Sequence, residues 1–444
     1  MKASEELIIL GGGPAGIAAG YYASRQGKRF KIYEEKNRIG GMCSTITRGD
    51  FRFDLGAHRL HDREPDVTAD IRNLVGSRLS RIEIASYIFS RGRLIHFPLS
   101  PLNLISNLGP WTTLNAGFHW LASRFTRAPK SFQDFETYAV YKYGRPIAER
   151  FLLNYSKKLW GKDCGGLSPE ISGKRLKGLC LSTFLLEAFS GGKARTEHLD
   201  GAFFYPQSGF GEIVERMADV IGREKIFLGR RVMRLEHHNG CIRKVFFDDG
   251  EGVQADCIIS TLPLPVLVKM LHPACPHEIA ALAMGLSFRK LILVMLMLNR
   301  ESVTKGGTVY FPEPEFPFNR VSEPRNRSSY MAPPGKTSLL LEIPCGQESD
   351  LSEVVLQKYV RICVEKLEQI GWIREYQVLN AAVECLDYAY PVLDAGYAEK
   401  LERILRYMKT FQNLHIIGRN ALFQYTHFHD MMRMARETVG ALPT

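Results

Sequence analysis

Apolar positions follow several rhythms along this chain, and each rhythm predicts a different element. The unbroken run Leu7 to Leu10, which stops at a cluster of glycines, reads as a short buried strand. Small and apolar residues from about Pro14 to Gln26 then predict a helix, with Gly27 suited to its C-terminal exit. "RFKIYE" alternates apolar and polar residues as a second strand that ends in Glu34. Much later, the runs within "RKLILVMLMLNR" and "TSLLLEIPC", separated by proline-rich turns, predict an antiparallel sheet. Between these regions, Phe97 to Ser123 carries no Asp, Glu, Lys or Arg. From Leu104 onward, Leu108, Trp111, Leu114, Phe118, Leu121 and Phe125 recur at helical spacing around a Gly109-Pro110 break. The break and the many Asn, Ser and Thr residues argue against a membrane span. Burial against its own domain is the first reading, with shallow membrane docking or the lining of a greasy tunnel as alternatives.

At 444 residues the chain is long enough for two or three domains. It has no low-complexity tract, heptad run or solenoid repeat, and its first residues do not form a signal peptide. The net charge of +11 favours an anionic ligand or peripheral contact with an anionic membrane. Its basic clusters, "GKRLKG" and "GRRVMR", are short and not interleaved with aromatics, so nucleic acid is excluded as a partner. Nine cysteines, odd in number and never in a Cys-x-x-Cys pair, argue against disulfides or zinc and fit a reducing cytoplasm.

The strongest chemistry sits in the first 35 residues. Gly11, Gly13 and Gly16 have Gly-x-Gly-x-x-Gly spacing between the first strand and the helix, and Glu34 lies 18 residues past the last glycine. Gly11 would allow the tight turn, Gly13 a close pyrophosphate, and Gly16 close helix–strand packing. The helix N-terminus, at Pro14 and Ala15, would then face the phosphates, with Glu34 on the adenosine ribose hydroxyls. Strand, turn, helix, strand and acid in that order favour a dinucleotide over a mere glycine-rich turn, without separating FAD from NAD.

The next residues extend the pattern. "KNRIGGMCST" and "FDLGAHRLH" follow directly, and this order resembles the start of the amine oxidase, protoporphyrinogen oxidase and UDP-galactopyranose mutase superfamily. "FPLSPLNLISNLGP", "NYSKKLWGKD", "SGKRLKGL", "FFYPQSGFGEI", "ADCIISTLPL", "AYPVLDAGY" and "NLHIIGRNALFQYTHFHDMM" resemble its mutase-like branch in order. The resemblance implies an α/β fold with a discontinuous Rossmann-like FAD-binding domain (1–75, 200–265 and 405–444). Inserted into it would be an α+β substrate domain, made of a helical insertion (76–199) and an antiparallel-sheet part (266–404). It implies FAD along Glu34, Glu35, Arg38, Gly40, Gly41, Met42, Gly56, Ala57 and His58, with Val232 near the adenine. "LHIIG" would be the last parallel strand, Gly418 and Arg419 the turn at the pyrophosphate, and Phe428 and His429 the start of a helix facing the flavin's pyrimidine oxygen.

His427, His429 and Asp430 also look like the start of a metal site, but no His-Glu-x-x-His or second ligand cluster accompanies them. Two chemistries are open to a flavoenzyme of this kind. In the first, flavin N5 takes a hydride from an anionic or lipophilic small molecule; His58, Arg59, Tyr390 and Tyr425 are candidates around the ring. In the absence of a second nucleotide motif, the oxidant would be oxygen, a quinone or a carrier protein. In the second, reduced flavin attacks a sugar's anomeric carbon and UDP leaves. Arg175 and Arg320 match two substrate arginines of that branch, beside Tyr155, Trp160 and Tyr390, and read equally as salt-bridge partners. The family's closing motif has arginine before the tyrosine; here Gln424 stands before Tyr425. That departure favours the redox reading.

Overall fold

The computed structural model describes residues 6–97, 111, 118, 131–171 and 202–443. Arg175 and most of the uncharged stretch lie outside the described residues. At one end, five parallel strands form a sheet in the order Leu414–Ile416, Cys257–Ser260, Leu7–Leu10, Phe30–Tyr33 and Ile226–Phe227. Leu7–Leu10 occupies the centre, with all four residues buried, as an unbroken apolar run requires when both faces are covered. Helix Pro14–Arg25 packs on one face with the C-terminal helix Phe428–Ala441 beside it. "RRVMRLE" does not join this sheet. Val232–His238 forms part of a separate four-stranded sheet with Cys241–Phe247, Gly252–Gln254 and Leu271–His272.

The second large layer is a seven-stranded mixed sheet built around Phe288–Leu298. This strand pairs antiparallel with Thr337–Cys345 on one side and Val378–Pro391 on the other. Its alternation is real but hidden, because both faces are apolar. Leu291, Leu293, Met295 and Met297 join a cluster with Phe135, Trp160 and Tyr390. Ile292, Val294, Leu296 and Leu298 join another with Cys363 and Leu367 of helix Glu353–Gln369. Period-2 geometry thus feeds two cores from one strand.

The insertion over 76–199 is not simply helical. Its described residues open on strands Leu79–Ile82, Ser86–Ser90 and Arg93–Phe97, and the last two complete the edge of the seven-stranded sheet. Ser86–Ser90 pairs parallel to Thr308–Tyr310, more than 200 residues later, a partnership invisible to local pattern. Helices Phe135–Tyr143 and Asn154–Trp160 follow. No helix among the described residues is long and apolar enough to cross a membrane.

The helix–strand contact at the first turn is the tightest in this region. A Cβ on Gly16 would stand 1.8 Å from the Gly11 carbonyl oxygen, whereas one on Gly13 would meet nothing within 4 Å. Gly16→Ala is therefore expected to force the helix off the sheet and cost about 1–3 kcal/mol. The denaturant midpoint reads this directly; an unchanged midpoint would show that the helix slides freely.

Candidate functional site

A cavity of about 1700 Å³ runs between the parallel sheet and the seven-stranded sheet. One end is built by the glycine turn. Gly11 adopts φ +99°, and its N–H donates to the Tyr33 carbonyl at 2.8 Å, which ties the turn to the second strand. Helix Pro14–Arg25 has no side-chain cap at its N-terminus, so its first N–H groups and dipole are presented to the cavity that Gly13, Pro14 and Ala15 line. The Glu34 carboxylate accepts from the N–H groups of Gly12 (2.7 Å) and Lys36 (2.9 Å). Burial nevertheless raises its pKa above the ordinary carboxylate range. An open N-terminus and a nearby acid fit a dinucleotide's phosphates and ribose.

Other predicted positions converge on this end. The Gly40 N–H donates to the Gly12 carbonyl at 2.8 Å, and a Cβ on Gly41 would lie 3.3 Å from the Gly13 Cα. Gly418 approaches from the last strand, where a Cβ would lie 3.0 Å from the Ala15 Cβ. Gly56, Ala57, Glu35 and the buried Val232 also line the cavity. Glu35 faces Arg231 at 3.9 Å.

The basic predicted residues Arg38, Arg59 and Arg419 line the cavity, each with a partner in the protein. Arg38 lines the cavity but is ion-paired with Glu384 of strand Val378–Pro391. The Arg419 side chain donates to the Ala389 carbonyl at 2.9 Å, with its guanidinium 4.4 Å from the Tyr425 ring centroid and 5.2 Å from that of Tyr390. Its side chain therefore joins the tyrosine wall, and only the turn that carries it meets the helix N-terminus. Arg59 donates to Ser86 Oγ at 2.7 Å and lies over the Phe203 ring.

The opposite end of the cavity is aromatic. Tyr390 and Tyr425 are nearly parallel, 12° apart with centroids separated by 6.3 Å, and Trp160 meets Tyr390 at 74°. The Tyr155 hydroxyl accepts from Asn319 Nδ2 at 3.3 Å. Gln424 sits exposed on the cavity wall. Arg320 is buried and forked onto Glu342, with Nε to Oε1 at 2.7 Å, so its charge is compensated inside the wall. Burial raises the phenol pKa values of Tyr155 and Tyr390.

His58 stands between the two ends. Its Nε2 is 2.7 Å from the Met42 carbonyl oxygen, and its ring lies 5.0 Å from that of Phe210. A carbonyl partner requires the proton on Nε2 and leaves Nδ1 as the acceptor. Desolvation by burial lowers the histidine's pKa below 6.5, although the charge of Asp54 pulls the other way.

Asp54 is the positioning residue that sequence reasoning missed. Its buried carboxylate accepts from Thr45 Oγ1 (2.6 Å), Tyr205 OH (2.5 Å) and the Phe210 N–H (2.9 Å). Phe210 in turn touches both His58 and Phe428, the latter edge-on at 5.2 Å. "FDLGAH" held the acid and "FFYPQSGFGEI" its partners, but nothing local joins the two.

The histidine-rich run becomes the cap of the C-terminal helix. The His427 N–H donates to Asp430 Oδ2 at 2.8 Å, and the His427 side chain accepts the Asp430 N–H in a reciprocal capping box. The Asp430 carboxylate therefore already complements the helix dipole that the sequence reading aimed at a flavin oxygen. Buried His429 lies parallel to His427 at 5.6 Å. Among the described residues, no three His, Cys, Asp or Glu side chains gather where a metal could sit.

Comparison with known proteins adds an independent line. A family model described as flavin containing amine oxidoreductase matches residues 14–379. Protoporphyrinogen oxidase 2 of Arabidopsis thaliana is 24% identical over 106 residues, 23% of this chain and 21% of that protein. Phytoene dehydrogenase of Streptomyces griseus is 22% identical over 296 residues, 62% of this chain and 57% of that protein. Each match thus spans less than two thirds of the relative's length. Among solved structures, reduced UDP-galactopyranose mutase superposes with a TM-score of 0.87 at 19% identity, covering 98% of this chain and 94% of that one. A putative protoporphyrinogen oxidase from Exiguobacterium sp. 255-15 gives 0.77 at 19% identity, covering 99% and 98%. At such identities the superpositions establish a shared fold.

Two outcomes follow from the site's geometry. Asp54→Ala strands three buried donors and is expected to cost about 1–3 kcal/mol for each donor left unpaired, seen as a lower denaturant midpoint. The second concerns acid. Because the folded pKa of His58 is depressed, its contribution to stability is intact above 6.5 and is lost as pH falls through the folded value. Unfolding midpoints should therefore drop more steeply on acidification in wild type than in His58→Gln; parallel curves would refute the assignment.

Proposed function

The chain belongs to the flavin containing amine oxidoreductase family, and from that premise we propose that it is an FAD-dependent oxidoreductase acting on a carbon–hydrogen bond of an organic substrate. Gly13 and the uncapped helix N-terminus would hold the pyrophosphate, and Glu34 the ribose. Gly418 would join them at the pyrophosphate, while Met42, His58 and the Tyr390–Tyr425 wall would border the reacting ring. FAD, when bound, supplies a hydride acceptor. The chain's own residues do the rest. Tyr390 and Tyr425 present flat apolar faces that align a donor and exclude water. His58, kept neutral by burial, has an Nδ1 lone pair that can take a proton.

The buried Arg320–Glu342 pair is the observation that carries the choice of redox over sugar-mutase chemistry. A cation already forked onto a carboxylate is poorly placed to hold a departing nucleoside diphosphate, and Gln424 adds no charge beside Tyr425. A second reading, a non-redox mutase acting on UDP-galactopyranose, is supported by the extent of the structural similarity to that enzyme.

Purified protein is expected to carry FAD, visible in its absorbance. Anaerobic addition of an amine, a polyene or a porphyrinogen-type donor should bleach the oxidised form. Ring contraction of UDP-galactopyranose by photoreduced protein alone, with no bleaching by any donor, would favour the second reading. Gln424→Arg is expected to tighten UDP binding roughly tenfold, equivalent to about 1.5 kcal/mol. No gain would place position 424 away from the leaving group.

A further inference from the structure

A second depression, of about 740 Å³, lies where strand Phe288–Leu298 ends, and it shares no residue with the flavin cavity. The two are divided by the turn before strand Thr308–Tyr310: Asn326 of the depression donates to the Gly306 carbonyl at 2.9 Å, two residues before Thr308 of the large cavity. Three arginines from three chain segments line it: Arg300 after the strand, Arg325 in the turn Pro324–Asn326, and Arg374 after the helix Glu353–Gln369. Buried Ile373 also lines it.

Two of these guanidiniums are fixed without being neutralised, and the third, Arg374, stands exposed beside them. Arg300 donates through Nε to the Ser302 carbonyl at 2.7 Å and through Nη1 to the Trp372 carbonyl. Arg325 donates through Nη1 to the carbonyls of Lys336 and, at 3.4 Å, Pro333. Carbonyl bonds orient a guanidinium and leave its full charge. Among the described residues none of the three arginines takes part in an ion pair, although this chain pairs many others, such as Arg223 with Glu215 and Asp219. Glu301 is the one acid among the described lining residues, and it lies beyond ion-pair reach of all three. The lining thus carries a formal excess of two positive charges, with Arg300 and Arg325 held in place by loop carbonyls.

We propose that this depression is a binding site for a small phosphate-bearing anion, separate from the flavin cavity. Planar guanidinium forks match phosphate oxygens two at a time, and two pre-oriented forks lose little freedom on binding. An anion would also relieve the repulsion among three like charges in one depression.

Pyrophosphate is the probe, titrated calorimetrically into flavin-loaded protein at low ionic strength. The expected result is one saturable event, weakened as salt is raised and at least tenfold weaker in Arg374→Gln. Arg374 takes no part in the carbonyl bonds that hold Arg300 and Arg325, so the variant should unfold at the wild-type midpoint with an unchanged flavin spectrum. Arg300→Gln, which also loosens a loop, should abolish the event. Absence of saturable heat, or equal affinity in wild type and Arg374→Gln, would overturn the proposal. A perturbed flavin spectrum on adding pyrophosphate would also overturn it, by placing the ligand in the large cavity.

Discussion

The contact between Gly16 and the Gly11 carbonyl oxygen sets the position of everything around the large cavity. No side chain fits there, so helix Pro14–Arg25 lies against the end of the central strand with its N-terminus uncovered. Three other segments register on that N-terminus: Gly40 and Gly41 from the loop after the second strand, Gly418 from the last strand, and Glu34 through the Gly12 N–H. At Gly40 and Gly41 backbone approaches backbone, which keeps side chains out of the space beside the uncovered N–H groups.

Around this frame, charge is managed from behind the wall. Arg38 and Arg320 both reach the cavity, and each is held by a glutamate of the seven-stranded sheet, Glu384 and Glu342. Leaving buried Arg320 unpaired would be costly, and pairing turns each would-be ligand into part of the scaffold. Arg419 has a different solution, a carbonyl and two aromatic faces. The same logic holds at Asp54, a buried carboxylate with three donors that links the loop after Gly41, the His58 turn and the segment around Phe210. The site's polarity is thus set in large part by Glu384, Glu342 and Asp54, carboxylates that do not line the cavity themselves.

Local chemistry was legible in the sequence because it is decided within a few residues. The turn at Gly11, the helix that follows and the second strand depend on neighbours, as do the apolar runs of Phe288–Leu298 and Thr337–Cys345. The capping box at His427 and Asp430 was equally local, yet its ring-and-acid composition looks like a metal motif until the backbone shows which N–H groups it serves. Long-range pairing was not legible. Strand Ser86–Ser90 lies one place in from the edge of a sheet, beside a partner more than 200 residues later, so the surrounding insertion looked helical from its own pattern.

By itself, then, the sequence determined a glycine turn between strand and helix, the two large layers and the aromatic residues available to a site, since spacing and apolar periodicity encode these directly. Only the tertiary structure decided which arginines remain available to a ligand, that Asp54 positions the His58 region, and that His427 and Asp430 close a helix. Those outcomes depend on groups as far apart as Arg38 and Glu384, 346 residues distant along the chain. An ionisable side chain takes its role from whichever charge or dipole folding brings within hydrogen-bond range, and no local pattern specifies that partner.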